Sequence, residues 1–167
     1  MAISIRLVEP SEYERVAQLT VAAYTADYDD LPADYLAELA AVEQRAVAHQ
    51  VWVAVDDGSG RILGTMATGK PGRAISDLAL DGEFDYRLLA VDPAARGRGI
   101  GRALTEFTYS LARERGLHTV VMNSGEHMLG AHRLYAGLGF ARVPERERSV
   151  EISPGEFMAL YVFARAV

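Results

Sequence analysis

Ten residues starting at Asp92, DPAARGRGIG, put glycines at 97, 99 and 101 and arginines at 96 and 98 directly ahead of a run of good helix formers. Unpaired N–H groups at a helix start attract anions, and glycine leaves the backbone bare enough for a ligand to come close. Arg96, Arg98 and Arg102 add guanidinium groups whose donors match two phosphate oxygens at once. A diphosphate is the expected occupant. A Walker loop is excluded, because no Lys-Ser or Lys-Thr pair exists in the chain. A dinucleotide fingerprint needs a third glycine where Arg102 or Leu104 stands, and an early βαβ unit where this chain offers antiparallel strands. The plain alternative is a flexible glycine turn with solvated arginines.

Other reactive residue types are sparse. The chain has no cysteine, which removes disulfides, thiolate metal sites and any thioester route through the protein. His49, His118, His127 and His132 lack zinc-ligand spacing, so no metal is expected. The NSG at 123–125 is neither a nucleophile elbow nor part of a triad.

The elements that must hold this loop follow from periodicity. ISIRLV alternates with period two and reads as a first strand ending at Pro10. Ser11 is the expected N-cap of a helix, with Glu14 completing a capping box and Val16, Leu19, Ala23 and Tyr24 forming its apolar face. After the acidic TADYDDLP, a second helix shows Tyr35, Leu36, Leu39, Val42 and Ala46 at helical spacing. VWVAVDDGSGRILGTMAT is a hairpin, GKPGRAISDLALDG a loop, and EFDYRLLAV a fourth strand that Pro93 stops. The glycine loop opens a helix with Leu104, Phe107 and Leu111 on one face and Gly116 as its C′ residue. HTVVMN is a fifth strand, MLGAHRLYAGLG a short helix, and FARVPERE and FMALYVFARA are closing strands. The order β-α-α-β-β-β-α-β-α-β-β describes one mixed α/β domain over residues 1–167, a length able to bury a sizeable core.

Charge narrows the partners. The formal net charge of −6 argues against binding nucleic acid through phosphates. Residues 1–95 hold 7 Lys/Arg and 16 Asp/Glu, while residues 96–167 hold 10 and 7, so one segment could face a cation and the other an anion. No apolar run is long enough to span a membrane, and MAISIRLVEP does not read as a signal peptide. A cytoplasmic setting is expected. The apolar FMALYVFARA suits pairing across a homodimer or plain core burial.

LLAVDPAARGRGIGRAL, followed by AHRLYAGLGF, resembles the GNAT superfamily of N-acetyltransferases, whose acetyl-CoA loop reads Arg/Gln-x-x-Gly-x-Gly/Ala. Arg96, Gly99 and Gly101 match it, and the element order matches the family's fold over nearly the whole chain. The resemblance implies a mixed, mostly antiparallel sheet with helices on both faces and splayed fourth and fifth strands. It implies that main-chain N–H groups of Arg96, Gly97, Arg98, Gly99, Ile100, Gly101 and Arg102 hold the pyrophosphate of acetyl-CoA. The pantetheine arm would run beside the backbone of Leu89, Ala90 and Val91, with an N–H near Leu89 or Ala90 stabilising the oxyanion. Tyr135, at the family's LY step, would be the acid that serves the departing thiolate.

Acetyl transfer also needs a neutral amine, and an alkyl amine of pKa ~10.4 is almost entirely charged at pH 7. Uninterrupted alternation puts Glu83, Asp85, Arg87, Leu89 and Val91 on one face, so Glu83 and Asp85 are the candidate bases. Asp27, Tyr24 and Tyr28 are further choices. One departure is visible: where relatives often carry Asn, this chain has Met128, with Asn123 upstream. The expected activity is direct acetyl transfer in a ternary complex to a primary amine of a small molecule, with the acidic first half pointing to a cationic acceptor. A non-catalytic acyl-CoA-binding sensor or regulatory module, and a phosphate-binding enzyme unrelated to acyl transfer, are the alternatives.

Overall fold

A computed structural model describes residues 1–167. Strands β1 (Ile3–Leu7), β2 (Gln50–Asp56), β3 (Ile62–Thr68), β4 (Glu83–Val91), β5 (Thr119–Gly125), β6 (Ala141–Arg142), β7 (Arg148–Ser153) and β8 (Glu156–Ala166) join in one sheet. Its order is β1-β2-β3-β4-β5-β8-β6, with β7 also paired to β8. Every pairing is antiparallel except β4 with β5.

Helices cover both faces. On one side α1 (Tyr13–Thr25), α2 (Ala33–Ala40) and α3 (Val42–Ala48) bury Val16, Leu19, Leu39 and Val42 against Val51, Val53 and Val55 of β2. On the other, α4 (Ile100–Glu114) and α5 (Leu129–Gly137) bury Ile100, Leu104, Leu111 and Tyr135 against Leu63, Phe84, Tyr86 and Met122. The valines of β2 share one face because strand side chains alternate. Gly64 lets α4 lie close on β3: a Cβ there would come within 2.8 Å of the Ile100 side chain. Gly116, with φ 69°, ends α4 as its C′ residue, as its spacing predicts.

Four expectations need correction. The first helix begins at Tyr13, because Pro10 starts a 3-10 turn over Pro10–Glu12; the Glu9 N–H bonds the Glu12 carboxylate at 2.9 Å, and Ser11 and Glu14 form no capping box. The second helix is two, broken at Ala41 with ψ 58°, where the Arg45 guanidinium collects the freed carbonyls of Glu38 and Leu39 at 2.7 and 3.1 Å. FARVPERE supplies only the short β6 before a 3-10 turn at Pro144–Arg146, while β7 is a strand with no counterpart in the predicted order. β8 has β5 on one side and β6 and β7 on the other, so it has no open edge for pairing across a homodimer.

The fourth strand carries the irregularity that shapes the site. Thr65 faces Ala90 and Ala67 faces Arg87, so β4 holds one extra residue there, and Leu88 takes φ 55° to accommodate it. Uninterrupted alternation therefore fails. Asp85 and Arg87 face away from Phe84 and Tyr86, whereas beyond the bulge Leu89 and Val91 pack on the same core as Phe84 and Tyr86.

Candidate active site

The glycine loop leaves β4 through Asp92, whose carboxylate accepts from the Ala94 N–H at 3.0 Å and from Arg15 at 2.6 Å. Burial raises the Asp92 pKa, but these two donors outweigh it and hold the carboxyl below the usual carboxylate value. After a 3-10 turn at Pro93–Ala95 the chain passes through Gly97 and Gly99 with φ 76° and 82°, a region costly for any residue with a Cβ. The N–H groups of residues 97 to 102 donate to no atom of the chain; the first helical bond is Ala103 N–H to the Gly99 carbonyl at 2.9 Å. Such a run of free donors at the positive end of α4 forms an anion-binding concavity.

The three arginines divide their work. Arg96 turns back to α1, where it meets both Asp27 carboxylate oxygens at 3.1 Å and the Ala23 carbonyl at 2.9 Å. Its guanidinium is thus committed to holding the loop. Arg98 contacts the Met1 sulfur at 2.8 Å, and Arg102 makes an exposed pair with Glu106 at 3.1 Å, so both remain beside the loop at the surface. Gly101 differs from its neighbours: a Cβ there would sit 3.0 Å from Leu134, so this glycine serves the packing of α4 on α5.

Beyond Asp85 and Val121 the parallel pairing of β4 and β5 stops. From there β4 pairs only with β3, and β5 only with β8, which opens a cleft of about 340 Å³ between them. Leu89 of β4 and Asn123 of β5 line it, α2 and β7 wall one end, and Tyr135 reaches it from α5. The Tyr135 ring packs on Phe140 and Phe163 at 5.8 and 5.4 Å, and burial pushes its hydroxyl pKa well up against the relieving contact with Tyr86. No backbone group ties that hydroxyl down.

Glu83 and Asp85 are engaged elsewhere. Asp85, 3% exposed, accepts from Ile75 N–H at 2.9 Å, Ser76 N–H at 3.0 Å and the Ser76 hydroxyl at 2.7 Å, so it anchors the 69–82 loop. Glu83 pairs with Arg146 and accepts from the Leu80 N–H at 2.9 Å; burial raises its pKa, yet Arg146 and that N–H hold it below the usual value. Neither lines the cleft. Tyr28 does, but its hydroxyl accepts from the His127 N–H at 3.2 Å and burial pushes it up to about 12. Tyr24 is buried and its hydroxyl lies well above the ordinary value.

A family model described as an acetyltransferase (GNAT) domain matches residues 48–142, the stretch from β2 through the glycine loop to β6. The chain belongs to the GNAT acetyltransferase family. Among curated GNAT relatives, a mycothiol acetyltransferase of Beutenbergia cavernae is 34% identical over 93 residues, covering 56% of this chain and 29% of that protein. The N-alpha-acetyltransferase RimI of Mycobacterium tuberculosis is 28% identical over 151 residues, covering 90% of this chain and 86% of its own. The first two curated relatives are much longer, and the chain spans only 29% and 23% of their lengths. The structure of yncA from Salmonella typhimurium with its cofactor acetyl-CoA superimposes with a TM-score of 0.67 at 21% identity, over 99% of this chain and 94% of that one.

Three features of this GNAT domain leave room for a ligand. The amides at 97 to 102 have no partner in the chain, nothing stands within 4 Å of where a Cβ at Gly97 or Gly99 would point, and β4 offers one unpaired edge beside the cleft. Two sets of cleft residues escaped sequence reasoning. Asp34 and Glu38 stand four apart on α2, a like-charge spacing that costs helix stability and so signals another use. Arg148, Val150 and Ile152 come from β7, whose alternation of Val150 and Ile152 with Ser149 and Glu151 was the available signal. No helix is long and apolar enough to cross a membrane.

Proposed function

We propose that residues 1–167 act as one N-acetyltransferase domain that moves an acetyl group from acetyl-CoA to a primary amine of a small molecule. The carrying observation is the run of unpartnered amides at 97 to 102, which follows on from β4, the strand that lines one side of the cleft between β4 and β5. The N–H groups of Gly97 to Arg102 would take the pyrophosphate, and the open β4 edge around Leu89 and Val91 would pair with the amide-bearing arm. A main-chain N–H at Leu89 or Ala90 would hold the acetyl oxygen as charge develops on it. Tyr135 would donate a hydrogen bond to the sulfur. Its raised pKa keeps that hydroxyl protonated throughout the working range.

The amine enters from the α2 side. Asp34 and Glu38 make no ion pair, so they draw a cationic amine toward the cleft and supply a route for its proton through water. As the new C–N bond forms, the C–S bond breaks; the amine's proton leaves toward Glu38 or water, and the sulfur takes one from the Tyr135 side or solvent. The absence of cysteine favours direct transfer in a ternary complex, and with it suits a cytoplasmic setting.

A panel of amines assayed for free-thiol release from acetyl-CoA tests this. Release with at least one amine, and initial rates that intersect rather than run parallel when both substrates vary, is the expected outcome. Tight acetyl-CoA binding with no release on any amine would leave only a binding module.

A further inference from the structure

Resting on that reading of the cleft, we infer that the acceptor amine is a free amino acid whose carboxylate seats on Arg87. Arg87 leaves β4 just before the bulge at Leu88 and lines the cleft from the α1–α2 side. The cleft's other arginine, Arg148, is held by both oxygens of Asp77 at 2.9 and 3.2 Å. Arg87 has no such partner: it forms neither an ion pair nor a hydrogen bond within the chain. The obvious candidate, Asp85 two residues away on the same face, spends its carboxylate on Ile75 and Ser76.

The surroundings of the Arg87 head group suit a ligand. Tyr24 and Tyr35 line the same cleft as Arg87; burial pushes both hydroxyls up, and the Arg87 charge acts against that push in each. Glu38 lines the same wall yet stays beyond ion-pair distance. A free cation and two unpaired carboxylates that line one cleft without closing on one another call for a molecule carrying both signs. The guanidinium fork matches a carboxylate through two parallel bonds, while the α2 carboxylates attract the ammonium before it loses its proton.

Spacing limits the size of that molecule. Arg87 and Leu89 are two residues apart with the Leu88 bulge between them, so their backbones are separated by at most roughly 7 Å. If the acetyl oxygen is held near Leu89, the amine and the carboxylate of the acceptor are separated by only a few bonds. That is an amino acid. A peptide or protein N-terminus has an amide where the free carboxylate would be, and leaves Arg87 unpaired.

The test sets free amino acids of every side-chain class against their C-terminal amides, with thiol release measured at saturating acetyl-CoA. The best amino acid should exceed its amide about 10- to 100-fold in kcat/KM, mainly through KM, because an arginine open to solvent discriminates less than a fully enclosed one. Arg87→Gln should collapse the ratio toward one, and Arg87→Lys should restore part of it. Arg87 is exposed and unpaired, so an unchanged thermal midpoint is expected and verifies folding. Calorimetric titration of the same pairs in the presence of coenzyme A gives a readout without turnover.

Thiol release that favours the amides, or a ratio that survives Arg87→Gln, rejects the carboxylate seat and leaves the transferase reading standing. Amino-acid binding that depends on Arg87, without turnover, rejects the transferase reading and keeps the seat. Neither binding preference nor turnover rejects both.

Discussion

Arg96 lies in the glycine loop and Asp27 just beyond the end of α1, and the guanidinium of the first meets both carboxylate oxygens of the second at 3.1 Å. An arginine at the family's phosphate motif thereby works as a strut. It fixes the loop to α1 through Asp27 and the Ala23 carbonyl, and leaves the backbone amides as the loop's unpartnered donors. Both side chains are partly exposed, so the pair itself contributes on the order of 0.5 kcal/mol. Arg96→Ala and Asp27→Asn should each weaken acetyl-CoA binding several-fold, and the double variant should be little worse than either alone. Additive losses across that cycle, read by calorimetry, would show that Arg96 meets the ligand directly.

Gly99 and Gly101 should respond oppositely to the same small substitution. Gly99 has φ 82° and open space around it, so Gly99→Ala strains the backbone by roughly 1–2 kcal/mol and tilts the amides next to it. Gly101 has helical geometry, and its added methyl would press on Leu134 at 3.0 Å. Gly99→Ala should therefore lose most acetyl-CoA affinity with a modest drop in thermal midpoint. Gly101→Ala should act first on stability, through the α4–α5 contact. Equal affinity losses at matched stability would contradict this division.

The loop was legible in the sequence because its chemistry is local: strand, glycines and helix follow one another within twenty residues. The hairpin, α4 and the placement of Tyr135 are readable for the same reason. The engagement of the candidate bases was not. Glu83 and Asp85 stand on β4 itself, but their partners Arg146, Ile75 and Ser76 arrive from segments that sequence spacing does not bring to them, and the β4 bulge depends on pairing with β3. Asp34 and Glu38 lie on α2, which is cut short at Ala41, a break that propensity does not signal because alanine continues helices well.

Tyr135→Phe removes one oxygen from a packed ring, so the fold and the amide loop stay intact. Turnover should fall by about 10²-fold or more, within the range of one positioned acid, while acetyl-CoA affinity changes less than about threefold. Because burial holds the Tyr135 hydroxyl above its ordinary value, the kcat profile of the unaltered protein should show no falling limb from this group up to about pH 10. A full rate in the phenylalanine variant would remove Tyr135 from the chemistry.

His132 supplies a pH dependence of stability that is separate from the chemistry. It sits on α5 with its ring against Tyr161 and Phe163 at 5.4 and 5.3 Å, and its Nε2 is buried without a partner. Burial lowers its pKa, only partly opposed by the nearby Gly125 backbone. The folded state thus binds fewer protons than the unfolded chain once pH drops below about 6.5, the ordinary histidine value. Its contribution is complete above that value and declines as pH falls toward the lowered folded pKa. His49, also lowered by burial, gives a share of the same sign. His132→Phe fills a similar aromatic slot without a titrating nitrogen, so its thermal midpoint should fall less than that of the unaltered protein between pH 7.5 and about 5.5. Identical slopes in the two proteins would mean that His132 charges in place, with water reaching Nε2 between α5 and β8.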